Sequence, residues 1–573
     1  MRPSVVWGQA HLAAGLARSL VTWVLHDTRY PSPVPENPRF KTAHDAVGLV
    51  GDGDVVAVSG LGAHQRASIV FWAIREAFEA TGHPADLTLV NLGGHGGRGL
   101  APGTLEELGQ RGLCRRLITG HFETFRAMLE LAEAGECELQ CIPQGTLALL
   151  IDALGRGEDS LRSTTGVGTF IDPRIGPGSA VGGTVGGTGA QWVTVDGDAL
   201  RYRMPPIDVA VFNAPAADRH GNVYVRHCAM IGETAEIARA ARRRGGSVIA
   251  NVGRLVEEGY GRVYLPAEMI DALVFHPDTE QTAGIPHRLH WPAVTTESDV
   301  PIAEAVAEVA LVNRLVGISA GRTAVDAAVA RLAADTLAAH VGPGAHVNIG
   351  TGLPEQVCPV LFDAGLHEAL TLLVESGPVG GLPASGIYFG ASFSPRRIVS
   401  SAEMFRLCYQ RLDATCLGAL EVDGAGNVNV SRRGEGPRGL VGPGGFIDLA
   451  AAARTIVFVS GWMVGGRVAV EGGRVRVVEQ GAPKFVARVR EITFDGQRAL
   501  AAGKHVYWAT PVGLFQLTAR GVALVRVMPG IDVRRDVLGV ATMPIVLPDG
   551  DVPLVAERVV TGEGFALELR GSP

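Results

Sequence analysis

From residue 41 onward, short runs of β-branched and other apolar residues alternate with alanine-rich stretches of helical spacing. The run "DVVAVSG" (54–60), for example, is followed by "SIVFWAIREAFEATG" (68–82). This alternation is typical of α/β units on a mostly parallel sheet. The first 40 residues close with the proline-rich "RYPSPVPENPRF" (29–40), which predicts a break before the folded part.

The same hydrophobic and glycine pattern occurs twice along the chain, in one order. The matched pairs are "VGDGDVVAVSGLG" (50–62) with "VGPGAHVNIGTGL" (341–353), "LTLVNLGGHGG" (87–97) with "LTLLVESGPVGG" (370–381), and "ADRHGNVYV" (217–225) with "VDGAGNVNV" (422–430). Three matches in the same order predict two related open α/β lobes.

Glu375 stands out because it follows the apolar run at 370–374 and precedes a glycine-rich loop. Leu92 occupies the equivalent position in the other repeat, so the fold itself does not need a carboxylate there. Ligands bind beyond the carboxyl ends of strands in open α/β sheets. We expect amides of "SGPVGG" to keep this carboxylate ionised, and a poorly hydrated carboxylate is a nucleophile. The alternative is a structural acid that caps a helix or binds loop amides.

A second glycine cluster, "VGPGGFIDLA" (441–450), precedes an acid and an alanine-rich helix. The backbone amides of Gly444 and Gly445 are candidates for an oxyanion site, in which one donor is typically worth roughly a hundredfold to a thousandfold in rate. The alternative interpretation is a tight turn, since glycine pairs alone are weak signals.

Composition limits the classes of partner. At 573 residues the chain is too long for a single core. Its 58 acidic residues outnumber its 51 basic ones, so no global positive field is available to hold nucleic acid or an anionic membrane. We therefore expect small molecules as ligands.

Seven scattered cysteines indicate no disulfide framework, and we expect a reducing, cytoplasmic location. The closest pair, Cys137 and Cys141, lacks a second ligand pair nearby, so we predict core residues and no metal. The apolar stretch around Arg18 is interrupted by that charge, which argues against a membrane helix. The first 40 residues fit a presequence, an amphipathic docking helix or an early start codon equally well.

Several motif-like stretches are better explained otherwise. "GISAG" (317–321) would make Ser319 the nucleophile of a hydrolase elbow, but the preceding segment has helical spacing and we interpret it as an interhelix linker. Two dinucleotide-like stretches fail at Gln65 and Glu355, and the sequence contains no P-loop.

Charged and imidazole side chains outside these motifs have ordinary explanations as well. The arginine cluster in "ARAARRRGG" (238–246) fits the last turn of a helix, with contact to the phosphates of a ligand as an alternative. His64 and His95 lie in glycine-rich strand-end loops, where a histidine either lines a pocket or satisfies backbone groups.

With these residues in view, the chain resembles a family I CoA-transferase of the single-chain acetate/propionate, short-chain acyl-CoA:carboxylate type. The similarity covers residues 41 to about 560. It is carried by "GDGDVVAVSG", "GHPADLTLV", "CIPQGTLALLIDAL", "GVGTFIDPRIG", "PIDVAVFNAPAADRHGNVYV", "NIGTGLPEQV", "LLVESGPVGGLPASG", "DGAGNVNVS" and "GPGGFIDLAAAARTIVFV".

The resemblance implies that Glu375 is the covalent nucleophile. It would form an acyl-glutamyl anhydride and then a glutamyl-CoA thioester, with ping-pong kinetics. Gln144 matches a glutamine of the family's active site, and Gly444 and Gly445 acquire the oxyanion role. Asn427 is a lesser candidate, because Asn222 occupies its place in the other repeat and both fit turns.

The predicted organisation has four parts: residues 1–40 as an N-terminal extension, 41–305 as the first lobe, 306–480 as the second lobe carrying the glutamate, and 481–573 as a small C-terminal segment. The expected function is transfer of CoA between a short-chain acyl-CoA and a small carboxylic acid, by a homo-oligomer. CoA enters as a substrate and no bound cofactor is expected. An acyl-CoA hydrolase using the same glutamate, and a non-catalytic acyl-CoA-binding protein, are the alternatives.

Overall fold

The computed structural model describes residues 3–96, 102–183, 190–317 and 322–571. Ser319 lies outside this described part. The helix predicted just before it is present and ends at Leu315, and the next described helix begins at Ala324.

The first lobe is built on a ten-stranded sheet. Its strands are β1 (Phe40–Lys41), β2 (Val55–Val58), β3 (Leu87–Val90), β4 (Cys114–Thr119), β5 (Glu138–Cys141), β6 (Ala180–Gly182), β7 (Val209–Asp218), β8 (Val223–Tyr224), β9 (Ser247–Val256) and β10 (Ala272–Phe275). Their spatial order is β1-β10-β9-β7-β2-β3-β4-β5-β6, with β8 paired to β7. All neighbours are parallel except β5 with β6 and β7 with β8.

The second lobe is built on a nine-stranded sheet. Its strands are β11 (His346–Ile349), β12 (Thr371–Leu373), β13 (Pro378–Val379), β14 (Arg397–Ile398), β15 (Leu412–Leu417), β16 (Thr455–Val459), β17 (His505–Thr510), β18 (Gly513–Thr518) and β19 (Gly521–Val527). Their spatial order is β14-β13-β12-β11-β15-β16-β17-β18-β19. The strands from β12 to β17 in this order are parallel, and both edges are antiparallel.

Helices cover the two sheets and join the lobes. They are α1 (Pro3–Val24), α2 (Ala43–Ala46), α3 (Ser68–Thr81), α4 (Arg126–Glu133), α5 (Gln144–Arg156), α6 (Thr234–Arg243), α7 (Ile302–Leu315), α8 (Ala324–Ala338), α9 (Val357–Asp363), α10 (Leu366–Ala369), α11 (Ser401–Arg411), α12 (Phe446–Ala452), α13 (Gly496–Ala501) and α14 (Glu557–Thr561). Local sequence signals determine where several of these helices begin or end. Thr323 and Asp326 form a capping box at the start of α8, and α5 stops at Gly157, whose left-handed φ of 94° favours glycine.

Small sheets lie outside the two large sheets. They comprise a three-stranded sheet (Leu161–Ser163, Val193–Asp196, Ala199–Tyr202) and the pairs Glu280–Thr282 with Ile285–Pro286, Leu382–Pro383 with Ser392–Phe393, Glu421–Val422 with Val428–Asn429, Met463–Val464 with Ala482–Pro483, and Arg467–Glu471 with Arg474–Glu479.

The sequence repeat is a structural repeat, which confirms the prediction of two related lobes. β2 pairs with β3 in the register Val55 opposite Thr88, and β11 pairs with β12 in the register His346 opposite Thr371. These are the residues that the sequence alignment equates. Because the register is the same, both strand ends present equivalent positions to the space beyond each sheet.

The third repeat pair forms the same turn in both lobes. The Asp218 carboxylate accepts hydrogen bonds from the backbone N–H and side-chain amide of Asn222. Asp423 binds Asn427 in the same two ways. The two asparagines therefore hold equivalent turns.

The chain ends are integrated into this architecture. Residues 481–573 supply β17, β18 and β19, so the predicted C-terminal segment completes the second sheet. The N-terminal helix α1 packs along α7, which itself spans the predicted lobe boundary between residues 305 and 306. Within the described residues, no helix is both long and apolar enough to cross a bilayer.

Candidate active site

Glu375 lies two residues beyond the end of β12, on the tip of a tight turn. The turn closes through hydrogen bonds from Val374 N to Pro378 O (3.0 Å) and from Gly377 N to Val374 O (2.9 Å). Leu372, Leu373 and Val374 before it are buried, whereas the glutamate is only partly buried. The buried strand and its turn thus hold the carboxylate at the carboxyl edge of the sheet, as the sequence predicted.

The amide that binds Glu375 differs from the expected one. In the "SGPVGG" loop, Gly377 N donates to Val374 O and Gly380 N donates to Leu372 O, so these amides are consumed by the sheet edge. The carboxylate instead accepts a hydrogen bond from the backbone N–H of Gly445. The expectation of stabilisation by the loop following the glutamate was therefore wrong, because β13 folds back onto β12 and takes the loop's donors.

Gly445 is needed for this close approach. A Cβ atom placed on it would lie 2.5 Å from Oε2 of Glu375, well inside van der Waals contact. The residue is the N-cap of α12, whose first residue, Phe446, stacks on Phe458 of β16 at 5.8 Å between ring centroids. This packing fixes the start of α12 against the sheet that carries the glutamate.

Gln144 enters the same site from the first lobe. Its backbone N–H donates to Gly444 O (2.9 Å), and Gly444 N donates to Gly120 O (2.7 Å). The Gly444 amide is thus committed to the lobe interface, which removes it from the predicted oxyanion role. The Gln144 side chain is 3% exposed, and its Nε2 has no hydrogen-bond partner within the described chain. The structure therefore brings Glu375, Gly445, Gly444 and Gln144 together.

Asp448 is a buried carboxylate at this interface that the sequence analysis did not select. It lies on α12 of the second lobe and accepts hydrogen bonds from Gly145 N (2.9 Å), Thr146 N (2.8 Å), Thr146 Oγ1 (2.8 Å) and Tyr409 OH (2.9 Å). Gly145 and Thr146 belong to the first turn of α5, whose own N-cap residue, Pro143, offers no side-chain acceptor. Asp448 thus caps a helix of the other lobe.

The electrostatics of the site follow from burial. Desolvation, with a smaller contribution from the negative charge of Asp448, raises the pKa of Glu375 from 4.5 to about 7, against the opposing hydrogen bond from Gly445. Desolvation also raises the pKa of Asp448 to about 6, although four hydrogen bonds oppose the shift. Glu375 is therefore a carboxylate whose pKa lies near neutrality.

Asn427 is engaged away from this cluster. Besides its bonds to Asp423, its side-chain oxygen accepts a hydrogen bond from Gly496 N (3.1 Å) in the C-terminal region. No described contact joins it to Glu375. The geometry supports the turn interpretation of this residue.

The arginine cluster forms salt bridges within the first lobe, and the cysteine pair lies in its core. Arg239 pairs with Asp152 and Glu236, and Arg242 pairs with Asp271 (2.9 Å) at the end of α6. Cys137 and Cys141 are fully buried free thiols of the first lobe. In the part of the chain that the structure describes, no group of three or more histidine, cysteine, aspartate or glutamate side chains is arranged to hold a metal ion.

The arrangement resembles a covalent-catalysis site. A titratable carboxylate stands at a strand end, and a backbone N–H from a helix start contacts it. Across the lobe interface lies Nε2 of Gln144, which has no hydrogen-bond partner in the described part of the chain. Such a carboxylate can attack a carbonyl carbon, and the neighbouring donors can stabilise the oxyanion that results.

Comparison with known proteins agrees with this description. The Coenzyme A transferase family model matches residues 40–276. Caffeate CoA-transferase of Acetobacterium woodii is 30% identical, over 87% of this chain and 93% of that protein. Acetate CoA-transferase YdiF of Escherichia coli K12 is 27% identical, over 92% of this chain and 96% of that protein.

Solved structures show the same fold over nearly the whole length. The crystal structure of the acyl-CoA transferase YdiF apoenzyme from Escherichia coli O157:H7 matches with a TM-score of 0.79 and 25% identity, covering 94% of this chain and 99% of that one. The chain belongs to the CoA-transferase family and is a CoA-transferase, as the sequence resemblance predicted.

Proposed function

We propose that the protein transfers CoA between a short-chain acyl-CoA and a free carboxylic acid by a ping-pong mechanism, with Glu375 as the covalent nucleophile. The observation that carries the proposal is the position of Glu375, held at the strand end by the turn and contacted by Gly445 N–H from a helix start that is itself bound to the other lobe. CoA acts as a substrate, and no resident cofactor takes part.

The first half-reaction consumes the acyl-CoA. A carboxylate oxygen of Glu375 attacks the thioester carbonyl, the C–S bond breaks, and an acyl-glutamyl anhydride and CoA thiolate result. The thiolate then attacks the glutamyl carbonyl of the anhydride. The original acid leaves with one oxygen from Glu375, and a glutamyl-CoA thioester remains. The second half-reaction is the same sequence in reverse with a different acid.

The donors around Glu375 have distinct roles in this scheme. Each attack on the glutamyl carbonyl places negative charge on an oxygen that already lies beside Gly445 N–H, so no reorganisation is needed. Nε2 of Gln144, which has no hydrogen-bond partner among the described residues, is the second donor and comes from the first lobe. Asp448 positions α5 and hence Gln144, and is a positioning residue.

Intact-protein mass spectrometry tests the proposal. The purified protein is incubated with acetyl-CoA or propionyl-CoA without an acceptor, with Glu375→Ala as the control. The proposal predicts a CoA adduct in the wild type alone, which disappears when a short carboxylate is added and its CoA ester forms. Steady release of CoA without acceptor would indicate a hydrolase. Binding of acyl-CoA with neither adduct nor turnover would indicate a binding protein.

A further inference from the structure

The N-terminal helix α1 is fixed to the rest of the chain by one of its faces. Leu12 on this face is buried, and the side-chain amide of Gln9 donates a hydrogen bond to Ala307 O of α7 (3.0 Å). Gly15 allows close contact with the hairpin beneath it, because a Cβ atom placed there would overlap Gly284 O. The helix therefore has a defined orientation, and its opposite face points to solvent.

This opposite face is apolar and exposed. Its six large apolar side chains have exposed fractions between 50% and 78%, and they are Val6, Trp7, Leu20, Val21, Val24 and Leu25. At about 100° per residue they fall within an arc of roughly 140° around the helix axis. The other exposed large apolar side chains of the described residues are scattered between Ile175 and Leu554. The six residues thus form one apolar patch, the α1 face.

The area of the α1 face is sufficient for a protein interface. From their exposed fractions, the six side chains leave roughly 600–800 Å² uncovered, whereas the largest apolar patch on a typical monomer covers about 300–600 Å². Two copies packed through this face would bury roughly 1,200–1,600 Å² in total, which lies in the range of stable and specific interfaces. A second copy of this chain is therefore large enough an occupant, and the face is large enough to hold it.

The spacing along the α1 face fits a second helix of the same sequence. Exposed residues alternate three and four positions apart along its middle, as in a coiled-coil seam, at Trp7, Ala10, Ala14, Ala17, Val21 and Val24. In an antiparallel pair about a two-fold axis, Trp7 of one copy faces Val24 of the other. Nearer the axis, Ala10 faces Val21 in the same way. Ala14 faces Ala17 at the axis, where small side chains let two helices approach to about 8 Å.

The charges of α1 argue against a charged partner. Arg18 is the only lysine or arginine in the helix, and the helix contains no acidic residue. Arg18 already pairs with Asp278 of its own chain (2.6 Å). Helices that lie on anionic membranes carry many basic residues on the face opposite the apolar one, whereas here that face packs against the protein. The uncharged pattern therefore favours a second copy over a membrane surface.

We propose that the α1 face binds the α1 face of a second copy of this chain, with the two helices antiparallel across a two-fold axis. The helix lies outside the residues that the family model matches, which begin at residue 40. The inference goes beyond the proposed function and does not depend on it, because no residue of the α1 face takes part in the chemistry of Glu375.

The molar mass in solution tests the proposal. Light scattering coupled to size-exclusion chromatography is applied to the full chain, whose mass is 60.0 kDa per copy. The wild type should have the mass of at least two copies. Ala14→Glu should halve that mass at the same protein concentration, because it places a charge at the centre of an apolar interface. Ala80→Glu, at an exposed position of α3, is the matched control and should keep the wild-type mass.

Disulfide cross-linking tests the direction of the two helices. The seven native cysteines are free and buried, so thiols introduced on the α1 face react separately from them. Ala10→Cys combined with Val21→Cys should give a covalent dimer after treatment with diamide, seen on a non-reducing gel. Each single variant should remain a single chain, because two copies of the same position lie about 16 Å apart along an antiparallel pair.

A wild type with the mass of one copy, or an Ala14→Glu variant with the wild-type mass, would overturn the inference. Cross-linking of either single variant would overturn the antiparallel arrangement. A wild type with the mass of one copy that sediments with phosphatidylglycerol vesicles, unlike Ala14→Glu, would assign the face to a lipid surface instead. The CoA adduct on Glu375 is measured separately, so failure of this inference leaves the proposed function standing.

Discussion

Replacing the nucleophile by its neutral isostere should stabilise the protein. In Glu375→Gln the side chain keeps its shape and its acceptor oxygen for Gly445 N–H, but it loses the charge that burial and Asp448 oppose. Active sites commonly hold groups in arrangements that cost stability, and this carboxylate is such a group.

The size of this stabilisation follows from the pKa of Glu375. Burial raises the pKa of Glu375 from 4.5 to about 7, and each pKa unit corresponds to about 1.4 kcal/mol. Above pH 7 the ionised carboxylate therefore costs the folded state about 2–3.5 kcal/mol, the lower figure allowing for its partial exposure.

The direction of the stability change with pH, and the pH range in which it occurs, follow from the linkage between proton binding and folding. The folded state binds the proton more tightly than the unfolded state does, so wild-type stability falls as pH rises from 4.5 to about 7 and this loss is complete above that range. The glutamine variant has no such loss. Its advantage should be large at pH 8 and mostly absent at pH 5.

Thermal unfolding of both proteins at pH 5 and pH 8 measures this difference. The variant's Tm should exceed that of the wild type by at least about 2 °C at pH 8, and by much less at pH 5. Glu258→Gln, at a side chain that is 78% exposed, is the control and should shift Tm at neither pH. A variant that is no more stable than the wild type at pH 8 would refute the reasoning.

Three further predictions concern the same site. Gln144→Ala should lower kcat roughly a hundredfold while the adduct can still be detected by mass spectrometry, because one oxyanion donor is lost; an unchanged kcat would count against that role. Gly445→Ala should lower kcat/KM at least about a hundredfold, since its Cβ would displace the Glu375 carboxylate, whereas Gly418→Ala, where a Cβ meets nothing within 4 Å, should have wild-type activity. The kcat/KM for acyl-CoA should rise about tenfold per pH unit up to about pH 7 and then level off, and in Asp448→Asn this rise should occur at lower pH because a negative neighbour is removed.

The repeat made the fold predictable to a large extent. The repeat aligns Val55 with His346 and Thr88 with Thr371, and the strand partners Val55 and Thr88 in one sheet match His346 and Thr371 in the other, so the internal similarity predicted that the two sheets share one register. That residues 481–573 supply strands to the second sheet was not predictable in the same way. Strand β17 lies beside β16 only in space, and the sequence between them carries no signal of that pairing.

The sequence predicted which residues lie at the active site better than it predicted the hydrogen bonds between them. Glu375 could be selected because the other repeat has Leu92 in its place. The hydrogen-bond donor to Glu375 could not be selected from the sequence, because Gly445 lies 70 positions further on and reaches the carboxylate only through the packing of α12. Asp448 had a signal, an acid shortly after the glycine pair, but its role as the cap of α5 depends on the docking of two lobes.

The central claim, that Glu375 exchanges its own oxygen with the substrate acids, is tested most directly by isotope transfer. The enzyme is turned over with acetyl-CoA and an acceptor acid labelled with ¹⁸O in both carboxylate oxygens, and the peptide containing Glu375 is weighed by mass spectrometry. The proposed mechanism predicts that ¹⁸O accumulates in the Glu375 carboxylate, because the acceptor leaves one oxygen there at each turnover. A labelled CoA ester formed without any label in that peptide would contradict the account.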